Sequence, residues 1–261
     1  MSLKDNQRSS QNQKAWDQIA PVHAKHSSKK ELLTAPYVGL SQFQINYLKK
    51  LNLKNKKVAH LCCNDGREIL GIKKMGAKSV TGFDFSQKFI DHAKKLSSLT
   101  GIEGRFIRSD VTKISPKFHQ AFDIIVITTG TLVWFKDLNK LFKNVFKLLN
   151  LKGTLFIQES HPALRTYQPS GNSLKVTSSY FDTGHHHIPD GVSYFGSSQK
   201  PLPTQHLYFY TISDLINSLI SQKLSINSFQ ELPQDSSFKY KKLEPKQLIP
   251  MSYVLTASKL A

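Results

Sequence analysis

The residues best suited to chemistry in this sequence stand directly after short runs of Val, Ile, Leu and Phe. Cys62-Cys63-Asn64-Asp65-Gly66 follows the first run, and Asp84 closes the second with Phe85 behind it. Asp110 and Val111 follow the third, Thr128-Thr129-Gly130 the fourth and Glu159-Ser160-His161 the fifth. In an open α/β sheet, ligands bind outside the carboxyl ends of the strands, so these distant residues converge on one pocket. A carboxylate about twenty residues beyond the first turn is where such sheets hydrogen-bond a ribose diol. Asp84 occupies that place. The first turn lacks the complete G-x-G-x-x-G that lets backbone approach a pyrophosphate, which favours a nucleoside ligand without phosphates. Asn64 tolerates the left-handed conformation and partly substitutes for a glycine there. A ligand carboxylate would find main-chain N–H groups and a favourable dipole at the start of the next helix. Asp110, in RSDV, is placed to accept from an adenine amino group.

The elements that must position these residues are legible from periodicity. Apolar runs at Lys57–Cys62, Ser79–Asp84, Gly104–Ser109, Phe122–Ile127 and Gly153–Gln158 read as strands, alternating with helical stretches at Arg67–Met75, Gln87–Leu99 and Leu138–Leu149. That alternation predicts a mostly parallel sheet wrapped by helices. Ser86 is the expected N-cap of the second of these helices, and Gly76 and Gly101 stop the first two. From His161 to about Gln205 the pattern dissolves into Ser, Gly, Pro, His and aromatic residues, far longer than an ordinary connection and so either functional or disordered; the functional reading is a substrate-binding insertion. Regularity returns with Leu207–Tyr210, a helix over Ser213–Gln222 and strands over Leu224–Phe229 and Met251–Ser258. The division is an arm or lid over 1–36, a nucleoside-binding core over 37–160, and the insertion with completion of the sheet over 161–261. The arm carries Trp16, His23 and, just beyond it, Tyr37 on a polar background, and is expected to be mobile and to close over the site.

The longest apolar stretch, Ile124 to Phe135, is too short for a membrane span and is interrupted by Thr128, Thr129 and Gly130. The polar start lacks the apolar segment of a secretory signal, and the two cysteines are adjacent, which disfavours a bridge between them. A cytoplasmic protein with free thiols is the expectation. The formal charge of +18 raises nucleic-acid binding as an alternative. The lysines are scattered over several segments, however, so a solvated basic surface is the favoured reading. His185-His186-His187 lacks an acidic or cysteine partner at a familiar spacing, and three consecutive histidines do not project to one side, so no metal site is expected.

The segments VAHLCCNDGREIL, TGFDFS, RSDV, FDIIVITTGTLVWFKDL and LLNLKGTLFIQESHP, in this order, resemble the motifs of class I S-adenosylmethionine-dependent methyltransferases. More narrowly the chain resembles a bacterial subgroup of generic small-molecule methyltransferases, with H-L-x-C-x-x-G at the first motif, a Trp after strand four and E-x-H-P after strand five. NQKAWDQIAPVH and HLYFYTISDLINSLISQKL extend the likeness over nearly the whole chain. The resemblance implies a Rossmann-like, doubly wound, mostly parallel seven-stranded sheet with an antiparallel last strand. It implies S-adenosyl-L-methionine as cofactor, held by Cys62, Cys63, Asn64, Gly66, Asp84, Phe85, Asp110, Val111 and Thr128. The sequence departs from the broader family at His60, where Asp is usual, and at Cys62 and Asn64, where glycines are usual.

Methyl transfer from a sulfonium is an in-line displacement that positioning alone accelerates greatly, so a base is optional. For a hydroxyl or acidic nitrogen acceptor, His161 is the candidate base with Glu159 orienting it; the alternative is that both only tie down their loop. Trp16, His23, Trp134 and His161 are the candidate acceptor-binding residues. The expected partner is a small-molecule methyl acceptor of unspecified identity. The competing readings are an RNA or DNA methyltransferase, against which TTGTLVWF lacks a Pro-Pro-aromatic signature, and a noncatalytic methyltransferase-like binding module. Oligomeric state is not legible.

Overall fold

A computed structural model describes residues 3–25, 29–34, 39–191, 201–236 and 239–260. Among the described residues, helices α1 (Leu3–Lys25), α2 (Lys29–Thr34) and α3 (Gln42–Lys50) precede the first strand. Strand β1 (Lys57–Leu61), helix α4 (Arg67–Lys74), strand β2 (Ser79–Asp84), helix α5 (Gln87–Thr100) and strand β3 (Arg105–Arg108) build one half of the sheet. Strand β4 (Phe122–Ile127), helix α6 (Leu138–Leu148) and strand β5 (Leu149–Ser160) carry it in the other direction. Two antiparallel pairs then form outside the main sheet: β6 (Tyr167–Ser170) with β7 (Ser173–Val176), and β8 (Gly184–Ile188) with β9 (Gln205–Phe209). Helix α7 (Ile212–Ser221), strand β10 (Leu224–Leu232) and strand β11 (Ser252–Lys259) complete the chain.

The main sheet has seven strands in the order β10-β11-β5-β4-β1-β2-β3. Strands β1 to β5 run parallel, whereas β11 lies antiparallel to both β5 and β10. The expected Rossmann-like, doubly wound sheet with an antiparallel last strand is the fold observed. Strand order reverses between β1 and β4, and their carboxyl ends open the crevice where such sheets bind ligands.

The period of two in each strand divides the core. Ala59, Leu61, Ile125, Ile127, Leu155 and Ile157 face one layer with α6 and α7 residues. Val58, Ile124, Val126 and Phe156 face the other, with residues of α3, α4 and α5. Helix starts are fixed by side chains: Ser86 accepts from the Phe89 N–H, Asp137 from Lys140, and Ser41 and Thr211 form capping boxes with Gln44 and Asp214.

Most of the N-terminal arm is the 23-residue helix α1, docked on the core. Asp17 accepts from the Ser86 hydroxyl (2.5 Å) and the Lys88 N–H, and Lys136 pairs with Asp5 at 2.9 Å. Asn12 exchanges two hydrogen bonds with the His206 backbone on β9. The insertion holds β6, β7 and β8; its residues 192–200, and Tyr37 just beyond the arm, lie outside the described residues.

Candidate functional site

The turn after β1 takes an unusual path. Cys62 and Asn64 adopt positive φ (57° and 51°), and Gly66 follows at 80° as the N-cap of α4. A Cβ at Gly66 would lie 2.8 Å from both the Ala93 methyl and the Phe106 ring, so glycine is required for backbone conformation and for the approach of α5 and β3. The turn is thereby pressed against the end of β2, where the Asp84 carboxylate receives it. Asn64 N–H donates to Asp84 Oδ2 at 2.9 Å and Ser86 N–H to Oδ1 at 2.9 Å. Burial raises the Asp84 carboxyl to about 6 despite these bonds, and Asp17 on the overlying α1 pushes in the same direction. The Phe85 N–H adds a third backbone bond, and the remaining lone-pair site is open to a ligand.

These residues line a cavity of about 1480 Å³ at the carboxyl ends of the parallel strands, large enough for a nucleoside and a second small molecule. Cys62, Cys63, Asn64, Asp84, Phe85, Asp110, Val111 and Thr128 all line it. So do Trp16, His23 and Trp134. Gly66 does not; it shapes the turn from behind. Asp110 is partly engaged, its Oδ1 accepting from the Thr112 N–H and hydroxyl. Burial and the Asp84 charge push both thiols well up, so Cys62 and Cys63 are neutral here. Helix α1 forms the roof. Its Trp16 meets Trp134 edge to face at 5.2 Å and Phe89 at 6.1 Å, and His23 stands 5.3 Å from Phe89.

Glu159 and His161 do not line the cavity, and their contacts fit the alternative in which both tie down their loop. The buried Glu159 carboxylate accepts from four backbone N–H groups, of Gly130, Thr131, Leu132 and Ser160, at 2.6 to 3.2 Å. It is spent on holding the loop after β4 to the end of β5. Burial raises its pKa and those four bonds lower it, with burial the stronger. His161 accepts from the Ala163 N–H through Nδ1, caps the following turn, and places Nε2 3.0 Å from Glu231. Desolvation lowers its pKa against the pull of Glu231.

A polar floor escaped the sequence reading. Thr128 donates to Glu68 Oε2 at 2.7 Å, His60 Nε2 stands 3.0 Å from the Thr128 hydroxyl, and Gln44 Nε2 lies 3.4 Å from Glu68 Oε1. Gln44 also donates to Gln158 Oε1 (3.1 Å), as does the Thr129 hydroxyl (2.9 Å). Gln44, Glu68, Thr129 and Gln158 line the cavity. Burial depresses His60 to about 4, so it is neutral near pH 7. The one signal available beforehand was Glu68 in the first turn of α4; Gln44 rides on α3, a helix the sequence pattern did not announce.

Residues 58–153 match the family model described as a methyltransferase domain. Over 186 residues the chain is 25% identical to an uncharacterized protein of Haemophilus influenzae, covering 69% of this chain and 71% of that one. A solved S-adenosylmethionine dependent methyltransferase from Mesorhizobium loti superposes with a TM-score of 0.63 at 19% identity, over 82% of this chain and 96% of that one. A SAM-dependent methyltransferase structure from Methanosarcina mazei gives 0.60 at 18% identity, over 85% and 98%. The methyltransferase-domain match covers β1 to the middle of β5, and the strand order is shared with those solved S-adenosylmethionine dependent methyltransferases.

Proposed function

We propose that this chain transfers the methyl group of S-adenosyl-L-methionine to a small-molecule acceptor, with both bound in the cavity beneath α1. The observation that carries the reading is the Asp84 carboxylate, fixed against the first turn by the Asn64 N–H and facing a cavity sized for a nucleoside and an acceptor. The donor set fits the cofactor: a carboxylate with acceptor capacity left for a ribose hydroxyl, Asp110 for the adenine amino group, and an exposed Phe85 ring beside them. The cofactor supplies a methyl group on a sulfonium, already activated for displacement. The protein's part is to hold the acceptor's lone pair in line and to exclude water, for which α1, within the arm over residues 1–36, serves as the lid. Trp16, His23 and Trp134 wall the acceptor side.

A roofed cavity favours a small acceptor over a polymer, because a nucleic acid strand would have to displace α1 and its bonds to Ser86 and His206. A bacterial, cytoplasmic setting fits two free cysteines, and no helix among the described residues is long and apolar enough to cross a membrane. Incubation with cofactor labelled at the methyl group and a bacterial extract tests the reading. Label is expected in the small-molecule fraction; label confined to RNA or protein, or none transferred at all, overturns it.

A further inference from the structure

We propose that Glu68 is the anion of an ammonium-binding subsite in the cavity floor, an inference that rests on the methyltransferase reading above. Its side chain is 27% exposed and lines the cavity. Among the described residues no lysine or arginine comes within 4.0 Å of its carboxylate; the titratable group that does is His60, 3.5 Å away and uncharged near neutral pH. The adjacent Arg67 is turned to Asp65, 2.9 Å away. A carboxylate drawn partly out of water without a cation is costly, and burial accordingly raises the Glu68 pKa. Its hydrogen-bond donors, Thr128 and Gln44, are uncharged, and the Arg67 cation acts on it only from a distance, less strongly than burial. A ligand cation completes the balance.

The shape of that ligand group follows from the amides beside Glu68. The Ser41 N–H donates to Gln44 Oε1 at 2.7 Å, which fixes that amide and turns its Nε2 to Glu68 and Gln158. Gln158 must then present Oε1 to Gln44 and to the Thr129 hydroxyl. Its Nε2 is left without a partner in a side chain only 1% exposed that lines the cavity. An unspent donor near an unpaired carboxylate suits an ammonium with an oxygen acceptor beside it, as in an α-amino acid group. Two molecules could bring such a group: the cofactor at its amino-acid end, or an amine acceptor.

Calorimetry on the full chain separates them, using S-adenosylhomocysteine and methylthioadenosine, which keeps the nucleoside thioether but lacks the amino acid. If the ammonium is the cofactor's, Glu68→Gln binds S-adenosylhomocysteine at least tenfold more weakly and methylthioadenosine within twofold of wild type, and Glu68→Asp, which keeps the charge, recovers part of the loss. If it is the acceptor's, both nucleosides bind unchanged. Primary amines and amino acids then raise the melting temperature of the S-adenosylhomocysteine complex more than their hydroxyl counterparts do, in the wild type and not in Glu68→Gln. Equal weakening of both nucleosides, or no effect of Glu68→Gln in either arm, overturns the subsite while leaving the methyltransferase reading intact. Failure of the wild type to bind S-adenosylhomocysteine removes that reading and the subsite together.

Discussion

Replacing Asp84 with Ala tests the nucleoside grip. The carboxylate accepts from Asn64 at Oδ2 and Ser86 at Oδ1, with a further backbone bond from Phe85, and keeps an acceptor site for a ribose hydroxyl. Each hydrogen bond to a charged group contributes roughly 1.5–3 kcal/mol, so losing even one weakens binding by about 10- to 150-fold. Isothermal calorimetry with S-adenosylhomocysteine at pH 7.5 reads this directly, with circular dichroism to establish that the variant is folded. The same carboxylate predicts a pH dependence. Its pKa is about 6 in the free protein, and hydroxyl donors favour the ionised form, so a bound nucleoside draws that pKa below 6. Affinity is therefore full above pH 7 and falls as the pH drops through 6 toward 5, whereas in Asp84→Ala this dependence is flattened. A folded Asp84→Ala protein that binds within twofold of wild type, with an unchanged pH profile, refutes the reasoning.

Glu159 and His161, which lie outside the cavity lining, make contrasting predictions. Glu159→Gln sets an amide NH₂ against backbone N–H groups now satisfied by the carboxylate, and should cost about 2–4 kcal/mol of stability in urea denaturation; a loss under about 1 kcal/mol would show the cage to be dispensable. His161→Ala should leave methyl transfer within about threefold of wild type while lowering the melting temperature, since the imidazole faces Ala163 and Glu231 rather than the cavity; a loss of roughly a hundredfold in rate would restore it as a base. The only two tryptophans, Trp16 and Trp134, touch across the roof, so their fluorescence reports lid closure. Trp16→Ala should speed S-adenosylhomocysteine release at least fivefold in stopped flow, and an unchanged rate would mean that α1 does not gate the site.

Much of the fold was legible because strands buried on both faces need continuous apolar runs. Ser79–Asp84 and Phe122–Ile127 have the expected bounds, and α4, α5 and α6 end within a residue of expectation. Helix α1 escaped notice because its polar sequence carries no broad apolar stripe; it is held by particular contacts, Trp16 on Trp134 and Asp17 on Ser86, that no periodicity encodes. The strand-end rule located the cavity, since eight of the nine residues expected to hold the cofactor line it. It failed at Glu159 for a geometric reason. Successive side chains on a strand point to opposite faces, so at the end of β5 Gln158 lines the cavity while its neighbour turns into the loop after β4. The floor built from Gln44, Glu68 and Gln158 joins three elements far apart in sequence, and such convergence is visible only once the chain is folded.

The most direct measurement is a crystal structure of the wild-type protein grown with S-adenosylhomocysteine. The account predicts the nucleoside beneath α1, its ribose hydroxyls within hydrogen-bonding distance of the Asp84 carboxylate and its adenine toward Asp110 and Val111. A nucleoside bound elsewhere, or a saturated solution that leaves this cavity empty, contradicts it.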